Sequence, residues 1–431
     1  MKVLMFGWEF PPHISGGLGT ACFGLTSGLL QQGVEVIFVV PKLYGEEDKS
    51  RFRLLDASEV KMNFNDPYYH ELLRNLQYIE VFSPILPYVS PGFFSLEASS
   101  SEHNVVTGGF VSATHFDFSG HYGDDLMKEV TQYALVAAEL VKQNEFDVIH
   151  AHDWLTFPAG IVAKEISGKP MIVHVHATEF DRSGENINHN IYEIERKGMM
   201  EADAIITVSA FTKEILRTKY GIPGDKITVI HNGILPSSKA KDAPQPDKNN
   251  DEKIVTFLGR ITFQKGPEYF VQAARKVLDK MPDVRFVMAG NGDMLPQIIR
   301  MVAQLKMGSR FHFTGFLQGP ETDKMYAMSD VYVMPSVSEP FGITPLEAIR
   351  SGVPVIISKQ SGVSEVLQHA IKVDFWDIDA LADAISGLLR YKPLAQTFIR
   401  EGGKEVENLG WMNAASKVKT IYQSFAKTHA L

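Results

Sequence analysis

Two carboxylates eight positions apart close the stretch Glu339-Pro-Phe-Gly-Ile-Thr-Pro-Leu-Glu347. An apolar, strand-like run (DVYVMPS) precedes them and a helical pattern follows. This order puts Glu339 in the loop at a strand's carboxyl end and Glu347 in the first helical turn, where open α/β sheets receive phosphorylated ligands. A structural reading competes at each position. Thr344-Pro345-Leu346-Glu347 fits a capping box, with Thr344 as N-cap, Pro345 at N1 and Glu347 at N3, and there Glu347 serves only the backbone. For Glu339, between Ser338 and Pro340, the competing reading is a solvated loop acid.

Two cations offer complementary chemistry. In FLGRITFQKGPEYF, Arg260 and Lys265 follow a strand, five residues apart. Across a loop they could clamp a diphosphate, Arg260 by paired hydrogen bonds and Lys265 as a point charge, with Gly259 and Gly266 clearing room. Two solvated loop cations are the alternative. Ser15-Gly16-Gly17-Leu18-Gly19 opens the first helix. Adjacent glycines let backbone amides approach a phosphate or sugar closely, though a tight structural turn needs them equally. The spacing is not Gly-x-Gly-x-x-Gly, so no dinucleotide cofactor is indicated.

Histidines gather at two strand ends: His150 and His152 in HAHDW, His174 and His176 in VHVHATEF. A His-x-His pair on a strand points both rings to one face. A metal there would need Asp153 and Glu179 to complete the site across separate loops, and hydrogen-bonded core histidines are the alternative. His176, last before the loop ATEFDR, is best placed to reach a ligand. HNG at His231–Gly233 ends the last strand of the first half and can be a plain turn.

These residues need a scaffold, and the chain supplies two. KVLMFGW, VEVIFVV, FDVIHAH, PMIVHVH and AIITVS read as strands in the first half; IVTFLGR, VRFVMAG, FHFTGF, DVYVMPS and PVIIS in the second. Each is nearly continuously apolar, as in parallel strands covered on both faces, with helical segments between. The expected fold is α/β, two doubly wound Rossmann-like domains facing a cleft: 1–235, with an aromatic- and proline-rich elaboration at 45–125, and 254–410. A polar connection at 236–253 joins them. The first helix is expected near 18–32 and the last near 411–430.

Length and charge bound the function. A chain of 431 residues with 45% hydrophobic and 22% charged content is that of a globular protein with ample core. Cys22 is the only cysteine, which excludes an intrachain disulfide and a cysteine-rich zinc site. The net charge of −9 divides into −12 up to Leu235 and +3 beyond it. An acidic front half speaks against nucleic acid or an anionic bilayer as partner. The first helix (LGTACFGLTSGLLQQ) has no Lys or Arg, unlike a peripheral membrane helix. No apolar run has the roughly 18 residues of a membrane span, and the start MKVLMFGWEFPP reads as a buried strand, so a cytoplasmic location is expected.

The ordered set of WEFPPHISGGLGT, HAHDW, VHATEFDR, VSAFTKE, HNGI, LGRITFQKG, AGNGD and SEPFGITPLEAIRSGVPVI resembles the retaining nucleotide-sugar glycosyltransferases of the two-Rossmann-domain (GT-B) class. The likeness covers nearly the whole chain and is nearest to glycogen and starch synthases and their sucrose synthase relatives, in a form similar to archaeal-type glycogen synthases. It implies that Arg260 and Lys265 hold the donor diphosphate and stabilise the leaving group. Glu339 would contact the donor sugar's hydroxyls, Glu347 the ribose, and His176 the sugar's 6-hydroxyl. Gly342, Ile343 and Thr344 would supply backbone contacts, Gly17 would lie near the phosphates, and the last helix would pack back on the first domain.

The class requires no metal and no cofactor beyond the nucleotide-sugar substrate. Retention there is explained by front-side attack, with the departing phosphate taking the acceptor's proton. One residue departs from the pattern: bacterial ADP-glucose synthases have Lys where this chain has Ser15. The expected reaction moves glucose from UDP- or ADP-glucose to an α-glucan end. The rival readings are a transferase of the same fold acting on a lipid-linked or cell-surface glycan, and a catalytically silent nucleotide-sugar binder. A phosphorylase is disfavoured by chain length and by the lack of a pyridoxal-site motif.

Overall fold

The computed structural model describes residues 1–13, 16–62, 72, 76, 115–123, 125–235 and 252–428. Most of the 45–125 elaboration and residues 236–251 of the expected connection lie outside them, as does Ser15.

Two all-parallel sheets form the body. The first contains β1 (Lys2–Phe6), β2 (Glu35–Val40), β3 (Arg53–Asp56), β4 (Val148–His152), β5 (Met171–Val175), β6 (Ala204–Thr207) and β7 (Ile227–Val229), in the order β3-β2-β1-β4-β5-β6-β7. The second contains β8 (Lys253–Leu258), β9 (Val284–Ala289), β10 (Phe311–Gly315), β11 (Val331–Met334), β12 (Val355–Ser358) and β13 (Ile371–Val373), in the order β10-β9-β8-β11-β12-β13. Both are doubly wound. Strand order reverses between β1 and β4 and again between β8 and β11, which opens a crevice at each carboxyl edge.

The ten apolar runs all form strands. β4, β5, β6, β11 and β12 are buried along their whole length, because helices cover both faces. None of the ten runs covers β3, β7 or β13, although HNG marks the end of β7. All three are edge strands with partly exposed residues, and none carries a continuous apolar run.

The last helix, Trp411–Thr428, leaves the second sheet and packs against the helix Gly17–Gln31 of the first. A Cβ on Gly24 would lie 2.2 Å from the Trp411 indole, and one on Gly28 would lie 2.8 Å from the Trp411 carbonyl. Those two small residues, a turn apart, form the groove that receives Trp411, which is 5% exposed. The crossing is fixed by backbone and side-chain bonds, Ile234 N to Leu409 O at 2.8 Å and Lys419 Nζ to Gln32 O at 2.7 Å.

Candidate active site

At the carboxyl end of β8 the chain passes Gly259 and Arg260 into a single 3-10 turn, Phe263–Lys265. The Lys265 ammonium donates to Glu339 Oε2 at 2.5 Å, and Ser336 Oγ donates to the same oxygen at 3.2 Å. Glu339, only 6% exposed, is therefore no solvated loop acid. Its loop is pinned through Glu339 N to Gln360 O and Gly362 N to Glu339 O, each 2.9 Å. Arg260 stays exposed, with one contact from Nη2 to Gln264 Oε1 at 3.3 Å.

The two glycines beside these cations do different work. Gly259 does leave room, since a Cβ there would sit 3.8 Å from Lys265 Cγ. Gly266 does not clear space for a cation. It adopts φ 63° with its α-carbon against β11's end, where a Cβ would meet the Pro335 carbonyl at 2.2 Å. Only glycine lets the turn ride so close, and that approach carries Lys265 to Glu339.

The capping box at Thr344 is not formed. The helix is Thr344–Arg350, its N-cap is Ile343, and no side chain caps it. Thr344 Oγ1 instead accepts from the buried Tyr332 hydroxyl at 2.8 Å, while Glu347 N donates to Ile343 O at 3.2 Å. Glu347 Oε2 accepts from Tyr326 Oη at 3.3 Å. Burial pushes the Glu347 carboxyl above the usual range, against the pull of Arg350 and the Tyr326 hydroxyl. The local spacing suited a cap, but two buried tyrosines bind both of its side chains. Gly342, at φ 100°, turns the chain between Glu339 and Ile343, with Met334 and Glu339 Cγ within 3.2 Å of where a Cβ would be.

The first sheet presents His176 just beyond β5. Its backbone amide donates to Asp153 Oδ1 at 2.6 Å, and its Nε2 lies 2.9 Å from His152 Nδ1. Burial holds the His176 imidazole neutral, pushing it down to about 3. Asp153, at the left-handed φ of 58°, is pushed up to about 7 by burial, opposed by its bond from His176. The loop continues into the helix Glu179–Ser183, capped by a reciprocal pair between Thr178 and Asp181. Asp181 Oδ1 accepts from Ser338 Oγ at 2.5 Å, so the loop of His176 touches the residue next to Glu339 across the cleft.

A second contact joins the sheets. Glu365 accepts from the amides of Ala210 at 2.9 Å and Phe211 at 2.7 Å, and pairs with His231 Nε2 at 2.9 Å. His231 in HNG is thus a link to the other domain as well as part of a turn. Gly17 begins the helix Gly17–Gln31, exposed and with open space around it. Nearby, a cavity of about 280 Å³ opens at the carboxyl ends of β1 and β2, lined by Trp8, Glu9 and Tyr44 and closed by Gln318 of the second domain. Tyr122, bonded to Glu9, lies within the fields of both Asp153 and Arg260.

Sequence reasoning missed Asp181, Ser336, Ser338, Tyr326, Tyr332 and Glu365. Only the Thr178-x-x-Asp181 cap left a local signal; Ser336 reaches Glu339 three residues on, and the others act on partners 12 to 157 residues away.

Among the described residues, two groups bring possible metal ligands within 4.8 Å of one another: Cys22, His152 and His176, and His150, His152 and His174. Neither includes Asp153 or Glu179, which a metal site read from the sequence would have required. Glu179 is consumed by Arg182, Ser183 and the Asn188 amide, and Asp153 by the His176 amide.

Residues 238–405 match the family model described as glycosyl transferases group 1, and residues 113–237 match that of glycosyltransferase family 4. An uncharacterized glycosyltransferase of Methanocaldococcus jannaschii is 29% identical, with 98% of each chain covered. A glycogen synthase of Mycobacterium tuberculosis is 25% identical over 98% of this chain and 94% of its own. The catalytic domain of starch synthase IV from Arabidopsis thaliana, bound to ADP and acarbose, superposes with a TM-score of 0.66 at 16% identity, covering 99% of each chain.

Proposed function

We propose that this chain, which has the GT-B fold and whose residues 238–405 match the glycosyl transferases group 1 model, moves glucose, with retention, from a nucleoside-diphosphate sugar to the end of an α-glucan. The observation that carries this reading is the meeting of Lys265 and Glu339 at the carboxyl edge of the second sheet, with Arg260 exposed at the end of β8 and the loop of His176 joined to that of Glu339 through Asp181 and Ser338. The relatives named as glycogen and starch synthases support the glucan acceptor.

In this reading the donor lies along the β8 and β11 ends. Arg260, exposed and weakly engaged, grips the diphosphate with its planar fork. Lys265 exchanges part of its bond with Glu339 for the β-phosphate, where charge grows as the sugar–oxygen bond breaks. Glu339, freed of full neutralisation, accepts the sugar's hydroxyls, and Glu347 accepts those of the ribose. Gly342, Ile343 and Thr344 present backbone to sugar and phosphate, and Gly17 borders the phosphates from the first domain. His176, neutral and held by Asp153, can donate or accept at the sugar's 6-hydroxyl without adding charge. The acceptor enters from the cavity of Trp8 and Tyr44, attacks on the leaving group's face, and gives its proton to the departing phosphate. Transfer by this route uses no metal.

Among the described residues no helix is long and apolar enough to cross a membrane. The net charge of −9 counts against nucleic acid or an anionic bilayer as partner, and the location proposed is cytoplasmic.

The test is a donor screen. UDP-, ADP- and GDP-glucose are supplied with and without glycogen, and released diphosphate and lengthened glucan are measured. Glycogen-dependent release from one donor is the expected result. Tight nucleotide binding with no release from any donor would overturn the reading.

A further inference from the structure

Four imidazoles form a two-by-two array on one face of the first sheet. His150 and His152 project from β4, His174 and His176 from the β5 side, and the strand register sets His152 directly beside His174. Rings stack along each strand at 4.3 Å between centroids, and His152 lies 5.3 Å from His174 across the strands. His150 and His152 are 0% exposed and His174 2%.

A neutral imidazole carries one donor and one acceptor, and buried polar atoms are ordinarily paired. Here the pairing fails in one spot. His150 Nδ1 meets the Tyr422 hydroxyl of the last helix, and His152 Nδ1 meets His176 Nε2. Among the described residues no partner exists for His150 Nε2, for His152 Nε2, or for either nitrogen of His174. The unpartnered atoms belong to the same three residues whose ligand atoms lie within 4.8 Å of one another.

The existing bonds are compatible with a tautomer that leaves the Nε2 atoms free. If Nδ1–H of His150 donates to Tyr422 and Nδ1–H of His152 donates to His176, then both Nε2 atoms carry bare lone pairs. That is the state of a histidine that ligates a metal, its other nitrogen anchored to an outer partner. We propose that His150, His152 and His174 bind one divalent transition-metal ion of the zinc class through these unpartnered nitrogens, as a structural site apart from sugar transfer. An all-imidazole set suits zinc, copper or nickel and not magnesium or calcium. Tetrahedral zinc at about 2.0–2.1 Å from nitrogen needs ligand atoms about 3.3 Å apart, so the stacked rings must tilt inward about their side-chain torsions. Bound there, the ion would brace β4 against β5 and, through Tyr422, hold the last helix to the sheet.

The experiment titrates the purified full-length protein with Zn²⁺ against a chromophoric chelator, and repeats it with Co²⁺ to record the ligand-field spectrum. The expected result is one equivalent bound, a rise in Tm, and a cobalt spectrum of nitrogen ligation without a thiolate charge-transfer band. His174→Gln should weaken binding at least tenfold, while Cys22→Ala should leave it intact. Absence of stoichiometric binding would overturn the proposal. So would a thiolate band in the unsubstituted protein, which needs no variant to fold and would move the ion to Cys22, His152 and His176.

Discussion

Lys265 and Glu339 meet at 2.5 Å across the mouths of two neighbouring strands, although 74 residues separate them. The pair is mostly shielded, with side chains 20% and 9% exposed. The cation proposed to stabilise the leaving group is therefore held in place by the carboxylate proposed to bind the sugar. A donor must enter between them or beside them, and each residue sets the other's position before it arrives.

Lys265→Ala should lower kcat by about a hundredfold or more if the ammonium stabilises charge on the leaving phosphate. It also strands the Glu339 carboxylate in a poorly solvated place, so Tm should fall. Diphosphate release beside thermal melting separates the two effects. An unchanged kcat removes Lys265 from the mechanism.

Glu347→Gln keeps the shape and loses the charge. Because burial raises the folded-state pKa of Glu347, its contribution to stability is fully present at low pH and is lost as pH rises through that raised value. The variant should thus melt no lower than the parent at pH 8, its advantage appearing above about pH 4–5. Nucleotide affinity should fall about tenfold or more through loss of a charged acceptor. Calorimetric binding that is unaltered would leave Glu347 no part in the donor site.

Glu365 behaves in the opposite sense. Burial would raise its pKa, but the bonds from His231 and the Ala210 and Phe211 amides outweigh that and lower it. The contact between the domains is then complete above the ordinary carboxylate range and is lost as pH falls through the lowered value, below about pH 4. Glu365→Gln should open the cleft at pH 7 and flatten the pH dependence below 5. Small-angle scattering reads both, and an identical radius of gyration for parent and variant would deny the contact any role in closure.

Trp411→Ala should cost about 3–5 kcal/mol, the range for emptying a buried aromatic site. Gly24→Val should also destabilise, because its side chain would have to occupy the indole's position. Thermal melting of both variants checks this. A Tm within a degree of the parent for either would mean that the last helix is not held by this groove.

The legible part of the site was local. Ten strands are visible as apolar runs, most of them because both faces of a parallel sheet are covered, and Arg260, Lys265, Glu339 and Glu347 follow two of them, β8 and β11. The short edge strands β3, β7 and β13, of three or four residues and partly exposed, carry no such run. The capping box failed although its spacing was right. Tyr332 and Tyr326, 12 and 21 residues upstream, bind Thr344 and Glu347 and outbid the local geometry.

The amino-acid sequence by itself thus determined the two doubly wound sheets, the loops at their carboxyl edges and the residue types that stand there, because periodicity and turn chemistry are properties of neighbours along the chain. Only the tertiary structure decided which of those residues meet. The Lys265–Glu339 pair, the bond from Ser338 to Asp181, the Glu365 contact and the unpartnered imidazoles of β4 and β5 all join segments far apart in sequence. Hydrogen bonds and burial act over a few ångströms of space, and no spacing along the chain encodes that distance.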